Sequence, residues 1–269
     1  LAPLVEVEGA FSALLQAFQD ADPEVAKLAG EGLDRLGKPK KEHLSLLGEA
    51  LQSPKLYVRV FAANAILKLG SDVAEALPQL TRAMEDSDLN VVLRVVKAIY
   101  NLGSKAEGAA PALQKALDHS DALVKLYAAA ALTATEANLS KAIPILLEAS
   151  KSDEKEHRLL AEQGLKRLNP RSKGAAKPLL EKLNDEDVKK QALAALIRLE
   201  KAAVPELLRK ARDPDPEMRF LALEIFRQMG PGANTTDSLR IVLALAKNDP
   251  FPAIRQKARE AADSMQRKD

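Results

Sequence analysis

A valine recurs every 33 residues along the first half of this chain. Val25, Val58, Val91 and Val124 are followed at the same interval by His157, and Val188, Met218 and Ile254 continue the series at intervals of 31, 30 and 36 residues. A period of that length constrains the fold more than any local signal, because each period must be one supersecondary unit stacked on the next. Eight periods fill the 269 residues. Within a period the apolar positions fall at offsets 0, 4, 8 and 11 from the anchor, as in Val58, Ala62, Ile66 and Leu69 or Val91, Val95, Ile99 and Leu102. Those offsets share one face of a helix. Gly37, Gly70, Gly103 and Gly230 follow directly, where the helix is expected to end in a left-handed residue. Periods four to six carry Glu136, Asn169 and Glu200 there instead.

Ahead of each anchor stands a short acidic turn, and ahead of the turn a second amphipathic segment such as "ALPQLTRAMED" or "AAPALQKALDH". Asp86 with Asp88, Asp118 with Asp121, and Asp213 with Asp215 can cap the helix that follows and suit its positive end. Pro78, Pro111, Pro144, Pro178 and Pro205 fall near the start of the first helix, where a missing N–H costs least. Each period is therefore predicted to be helix, acidic turn, helix. Two helices cannot bury an apolar face alone, so the copies are expected to stack into one all-α solenoid domain over 1–269, with repeats near 10–37, 40–70, 73–103, 106–136, 140–169, 174–200, 202–230 and 236–266.

Segments such as "DPEVAKLAGEGLDRLG", "SPKLYVRVFAANAILKLG" and "DPDPEMRFLALEIFRQMG" resemble the HEAT repeat, in particular its bacterial HEAT-like type. The resemblance covers residues 10–266 and speaks to fold, not to function. It implies an α-solenoid wound as a right-handed superhelix, with first helices on the convex side and second helices on the concave side.

Composition narrows the function. Forty Lys and Arg against 38 Asp and Glu leave a net charge of +2, so nucleic acid is not the expected partner. The absence of cysteine removes disulfides, thiolate metal sites and cysteine nucleophiles together. No run of 18 apolar residues predicts membrane insertion, and "LAPLVEVEGA" lacks the basic start and apolar stretch of a signal peptide. The chain is expected to be soluble, in the cytoplasm or the periplasm. Because it begins at Leu1 and not Met, it is also expected to be cut from something longer.

Three histidines leave little for catalysis. His43 and His119 stand alone, and His157 replaces an anchor, where it is expected to be partly buried and hydrogen-bonded. Deoxyhypusine hydroxylases also use HEAT-like repeats but hold iron with repeated His-Glu pairs, whereas this chain has Glu42-His43 and Glu156-His157, reversed and only twice. No phosphate loop, nucleophile elbow or zinc motif is present, so no cofactor, metal or catalytic residue is expected. Two HEAT-like enzyme classes form the alternative reading: bilin lyases that handle a linear tetrapyrrole, and alkylpurine DNA glycosylases. No chromophore pocket is indicated, and with no Trp and three Tyr there is little for a base to stack on. The basic clusters Lys38, Lys40, Lys41 and Arg171, Lys173, Lys177 read as solvated ridges.

Two residue sets remain. The residue after the anchor is usually basic, as in Arg59, Lys125, Arg158, Lys189, Arg219 and Arg255, and Asp22, Asp88, Asp121, Asp185 and Asp215 lie three residues before their anchors. These are expected to pair as a structural ladder, as they commonly do in HEAT repeats. The second set lies about 165° from the centre of the core face, at offset +2, where a polar residue would be usual. Here it holds Val60, Leu93, Leu126, Leu159 and Phe220, joined by Leu67, Tyr100 and Ile197 at +9 and by Val96, Leu193 and Leu223 at +5. An apolar concave groove that binds a helix or peptide of a protein partner is the leading expectation. The competing one is that superhelical curvature buries the same residues.

Overall fold

The computed structural model describes residues 9–267. Its contacts group the chain into two compact units, one ending at Ala131 and the other beginning at Leu132. The first unit holds α1 (Ala10–Ala17) and α2 (Pro23–Leu36), α3 (Leu44–Ala50) and α4 (Leu56–Lys68), α5 (Leu77–Ala83) and α6 (Leu89–Leu102), and then α7 (Ala110–Ala116). The division falls inside α8 (Ala122–Thr135). In the second unit lie α9 (Leu139–Ala149) and α10 (Lys155–Lys166), α11 (Ala176–Glu181) and α12 (Lys189–Leu199), α13 (Val204–Ala211) and α14 (Pro216–Met229), and α15 (Thr236–Asn248) and α16 (Pro252–Met265). No strand occurs among the described residues. Each unit is a run of helix pairs at the period of the sequence, the architecture of an α-solenoid.

The pairs cohere through the face that the period marks. Val58, Ala62 and Ile66 on α4, Val91, Val95 and Ile99 on α6, and Val188 at the start of α12 with Ala192 and Leu196 on it are all buried. Burying one such Val, Ile or Leu side chain contributes roughly 1.5 to 3 kcal/mol, so each repeat depends on its neighbours to cover this face. In the first unit α4 packs on α6, and in the second α14 packs on α16. Three anchors depart from the pattern. Val25 is 39% exposed and Leu28 beside it is also open, because no earlier repeat covers α2 among the described residues. Met218 and His157 are half-buried.

The acidic turns cap as expected. The Asp88 carboxylate accepts the N–H groups of Asn90 and Val91 at 2.8 and 3.3 Å, and Asp22 and Asp215 accept those of Glu24 and Glu217 at 2.8 and 2.9 Å. Pro78, Pro111 and Pro205 stand in the first two positions of their helices. Pro144 does not: it lies inside α9, which starts five residues earlier than a proline-initiated helix would. Repeat five therefore differs from the others in its first helix as well as in its anchor.

Helix ends differ from expectation in an informative way. Gly103 and Gly230 close α6 and α14 with positive φ, as predicted, but their ψ values are −129° and −134°. That is the mirror image of the extended region, not the left-handed helical one, and it is essentially restricted to glycine. Glu200 closes α12 in the same conformation, with φ 43° and ψ −122°, and Glu136 also has positive φ. The repeat geometry thus forces a side-chain-bearing residue into a glycine conformation, at a cost of about 1 to 3 kcal/mol. Glu200→Gly is expected to raise the unfolding free energy by about 1 kcal/mol, the strain relieved being partly offset by the greater freedom of glycine in the unfolded chain. Denaturant titration followed by circular dichroism measures it, and a less stable variant would show that the strain is absent.

Candidate functional site

The arginines after the anchors form a regular structural feature, but with partners other than those expected. Arg59 donates to the carbonyls of Ser53 and Pro54, Arg158 to Ser152 and Asp153, Arg219 to Asp213 and Pro214, and Arg255 to Asp249 and Pro250. Each therefore stitches its own turn, reaching six and five residues back. The carboxylate partner, where there is one, comes from the next repeat: Arg59 pairs with Asp86 at 2.6 Å and Arg219 with Asp249 at 2.8 Å. Asp22, Asp88, Asp121 and Asp215 serve as caps instead, because a carboxylate three residues before the anchor lies directly over the free N–H groups of the helix start. Asp185 pairs with Lys151 at 2.9 Å, and Lys189 pairs with Glu186 at 2.7 Å; Lys125 forms no ion pair with Asp121.

The second apolar face is narrower than the sequence suggests. At offset +5, Val96 and Leu223 are fully buried, because that position lies on the flank of its helix, against the neighbouring second helix in the stack. Tyr100 is buried and meets Tyr127 edge to face, with ring centroids 5.6 Å apart. Leu126 is 2% exposed. Val60, Leu67 and Leu93 are half-buried, whereas Leu56 and Leu89, one turn before Val60 and Leu93 on the same rows, are 44% and 41% exposed. In the second unit Leu193 and Ile197 are half-buried, while Leu159 is 46% exposed and Phe220 40% exposed. Of the eleven residues predicted to line the groove, Leu159 and Phe220 are the exposed ones, and both lie in the second unit.

There the open face becomes a cleft. The helices α10 and α12 touch sparsely, whereas α14 and α16 pack along their lengths. Between α10 and α12 lies a cleft of about 540 Å³, with Leu159, Leu165, Ala194 and Ala195 providing its apolar surface. Its rims are charged. On α10, Lys155, Leu159, Glu162 and Lys166 form a row at i, i+4, i+7 and i+11; on α12, Lys190, Ala194 and Arg198 form one at i, i+4 and i+8. Glu162 is held by Lys166 at 2.6 Å. Sequence reasoning reached Leu159 but passed over Lys155, Lys190, Ala194 and Arg198. The available signal was the small residue between two cations at helical spacing.

Phe220 sits apart from this cleft. Its ring lies under the Lys257 ammonium at 5.2 Å, and Lys257 bridges Glu224 and Glu260 at 3.1 and 2.8 Å. Hydrogen bonds from Arg227 first, and then from Gln228 and Lys257, hold the Glu224 carboxyl down at about 2. The histidines are engaged in local structure. His157 shares a hydrogen bond with Ser152 at 3.1 Å, His119 accepts the Asp121 N–H at 3.0 Å, and His43 stacks on Phe11 at 3.8 Å. Among the described residues no group of three or more His, Asp or Glu is placed to hold a metal ion, and no helix is long and apolar enough to cross a membrane.

The sequence pattern shared by HEAT repeats matches residues 11–99, 57–133 and 175–263. The chain belongs to the HEAT-repeat family. This HEAT-repeat protein leaves residues 134–174 outside those matches, the stretch that contains Pro144, His157 and the α10 side of the cleft. No curated protein matches it in sequence. Among solved structures it is similar to an engineered protein from the Northeast Structural Genomics Consortium, at 17% identity and a TM-score of 0.50, over 95% of this chain and 78% of that one. A second engineered protein from the same consortium is 18% identical with a TM-score of 0.43, over 82% of this chain and 96% of that one. The first of these likenesses agrees with the helical-repeat fold and says nothing of activity.

Proposed function

We propose that this HEAT-repeat protein is a non-enzymatic interaction scaffold that grips a helix or peptide of a protein partner in the cleft between α10 and α12. HEAT repeats generally serve as such scaffolds. The observation that carries the reading is Leu159, an exposed leucine at an apolar cleft whose rims are charged. A leucine left half in water leaves about half of its burial unused in folding, and covering that half with a partner would contribute roughly 0.7 to 1.4 kcal/mol to binding. Ala194 has the complementary role, since its small side chain leaves room for what enters.

Selection of a displayed peptide library on the full chain tests this. Helix-forming peptides should be enriched, and Ala194→Leu, which fills the cleft, should lose them while melting at the wild-type temperature, because Ala194 is exposed. Enrichment that survives Ala194→Leu, or none at all, would overturn the assignment.

A further inference from the structure

We infer that the occupant of this cleft is an acidic amphipathic helix, with carboxylates on its flanks and an apolar residue between them. The inference rests on the proposed scaffold function and specifies its partner. Lys155, Arg158, Lys190 and Arg198 line the cleft together with Lys166, against the single carboxylate of Glu162, which Lys166 already neutralises. Lys155, Lys190 and Arg198 pair with no carboxylate among the described residues. Elsewhere in the second unit, Arg209 pairs with Glu206 and Arg240 with Asp237 within their own helices. The cleft thus gathers unneutralised positive charge around an apolar floor in a chain whose net charge is only +2.

Spacing sets the form of the partner. Lys190 and Arg198 are eight residues apart on α12, about 12 Å along the helix axis, with Ala194 midway. A partner helix with carboxylates two turns apart, at i and i+7, spans about 10.5 Å and presents its i+3 or i+4 residue to the gap over Ala194 and Leu159. An extended acidic chain could also set carboxylates at i and i+4 with an apolar residue between them, over about 13 Å, but the cleft is walled by helices whose backbone groups are already bonded, so its own N–H and C=O groups would find no partners there, whereas a helix satisfies them internally. A nucleic acid would satisfy the cations and leave Leu159 without an apolar partner, and the cleft contains no aromatic ring on which a base could stack.

The test uses the full chain and two labelled helix-forming peptides of about 16 residues, alike in their leucines and differing only in flanking Glu or Lys. Fluorescence anisotropy should show the glutamate peptide binding about tenfold or more tightly than the lysine peptide, with the difference shrinking as salt is raised. Lys190→Glu with Arg198→Glu should abolish the preference, since three cations then face three carboxylates, and because both side chains are exposed the variant should melt like the wild type. Equal binding of the two peptides, both lost on Ala194→Leu, would overturn the acidic partner and leave the scaffold reading intact. If neither peptide binds, both readings fail. A preference for glutamate that survives the double charge reversal, or tight binding of a labelled single-stranded oligonucleotide that the glutamate peptide cannot displace, would overturn the inference as well.

Discussion

Replacing Leu126 with Lys is expected to lower the melting temperature steeply or to prevent folding. The leucine is 2% exposed, so the change removes its burial and places an ammonium group where water does not reach. Losing the leucine costs roughly 1.5 to 3 kcal/mol, and an unpaired buried polar group adds about 1 to 3 kcal/mol or more. A total near 4 to 5 kcal/mol belongs to the exceptional class of single substitutions. At about 2 to 4 °C per kcal/mol for a unit of this size, melting should fall by about 10 °C or more. Leu159→Lys is the matched control. It stands at the same offset in the next repeat but is exposed, so it should change stability by no more than about 0.5 kcal/mol. Thermal unfolding followed by circular dichroism distinguishes the two variants. If both melted like the wild type, the face of α8 would be open and the groove would extend into the first unit.

Arg219→Ala should also be strongly destabilising. Read from sequence, a basic residue after the anchor would be an exposed rung with a contribution on the order of 1 kcal/mol. In the fold Arg219 and Asp249 are nearly enclosed, with side chains 10% and 2% exposed. The guanidinium also ties the carbonyls of Asp213 and Pro214 and lies 5.7 Å from the Phe251 ring. Removing it leaves the Asp249 carboxylate buried without its cation, which typically costs about 3 to 5 kcal/mol. Asp249→Asn in the same chain should restore part of that loss, because the stranded charge is then gone. The corresponding change at Arg255, which holds only two turn carbonyls, should cost about 1 kcal/mol. Denaturant titrations of the three variants measure these differences. Equal losses for Arg219→Ala and Arg255→Ala, or no recovery with Asp249→Asn, would show that burial of the pair is not what stabilises it.

The contrast between these arginines shows where sequence reasoning stops. Both occupy the same place in the repeat, which the period alone makes expected, and both stitch their own turns, which the structure reveals. Whether a carboxylate meets the guanidinium depends on what stands in the first turn position of the following repeat. The turn after Arg219 offers Asp249, while among the described residues nothing follows α16 to meet Arg255.

Helices, their order, their buried stripe and most of their caps were legible from the residues themselves, because a 33-residue period with offsets 0, 4, 8 and 11 leaves a stacked helical pair as the simplest way to bury its apolar face. The capping aspartates were equally legible, since a cap is a contact within three residues. The exposure of the second apolar face was not. Leu126 and Leu159 have the same offset and the same chemistry, yet one is enclosed and the other stands at an open cleft. Periodicity reports the angle of a residue around its own helix, whereas exposure depends on how closely the neighbouring helix approaches. That spacing is decided by side chains far apart in sequence: α10 and α12 stand apart at the cleft that Leu159 and Ala194 line, and α14 and α16 close up. The stack and its stripe were determined locally; the cleft at which Leu159 stands open, and the cations that surround it, were decided by packing.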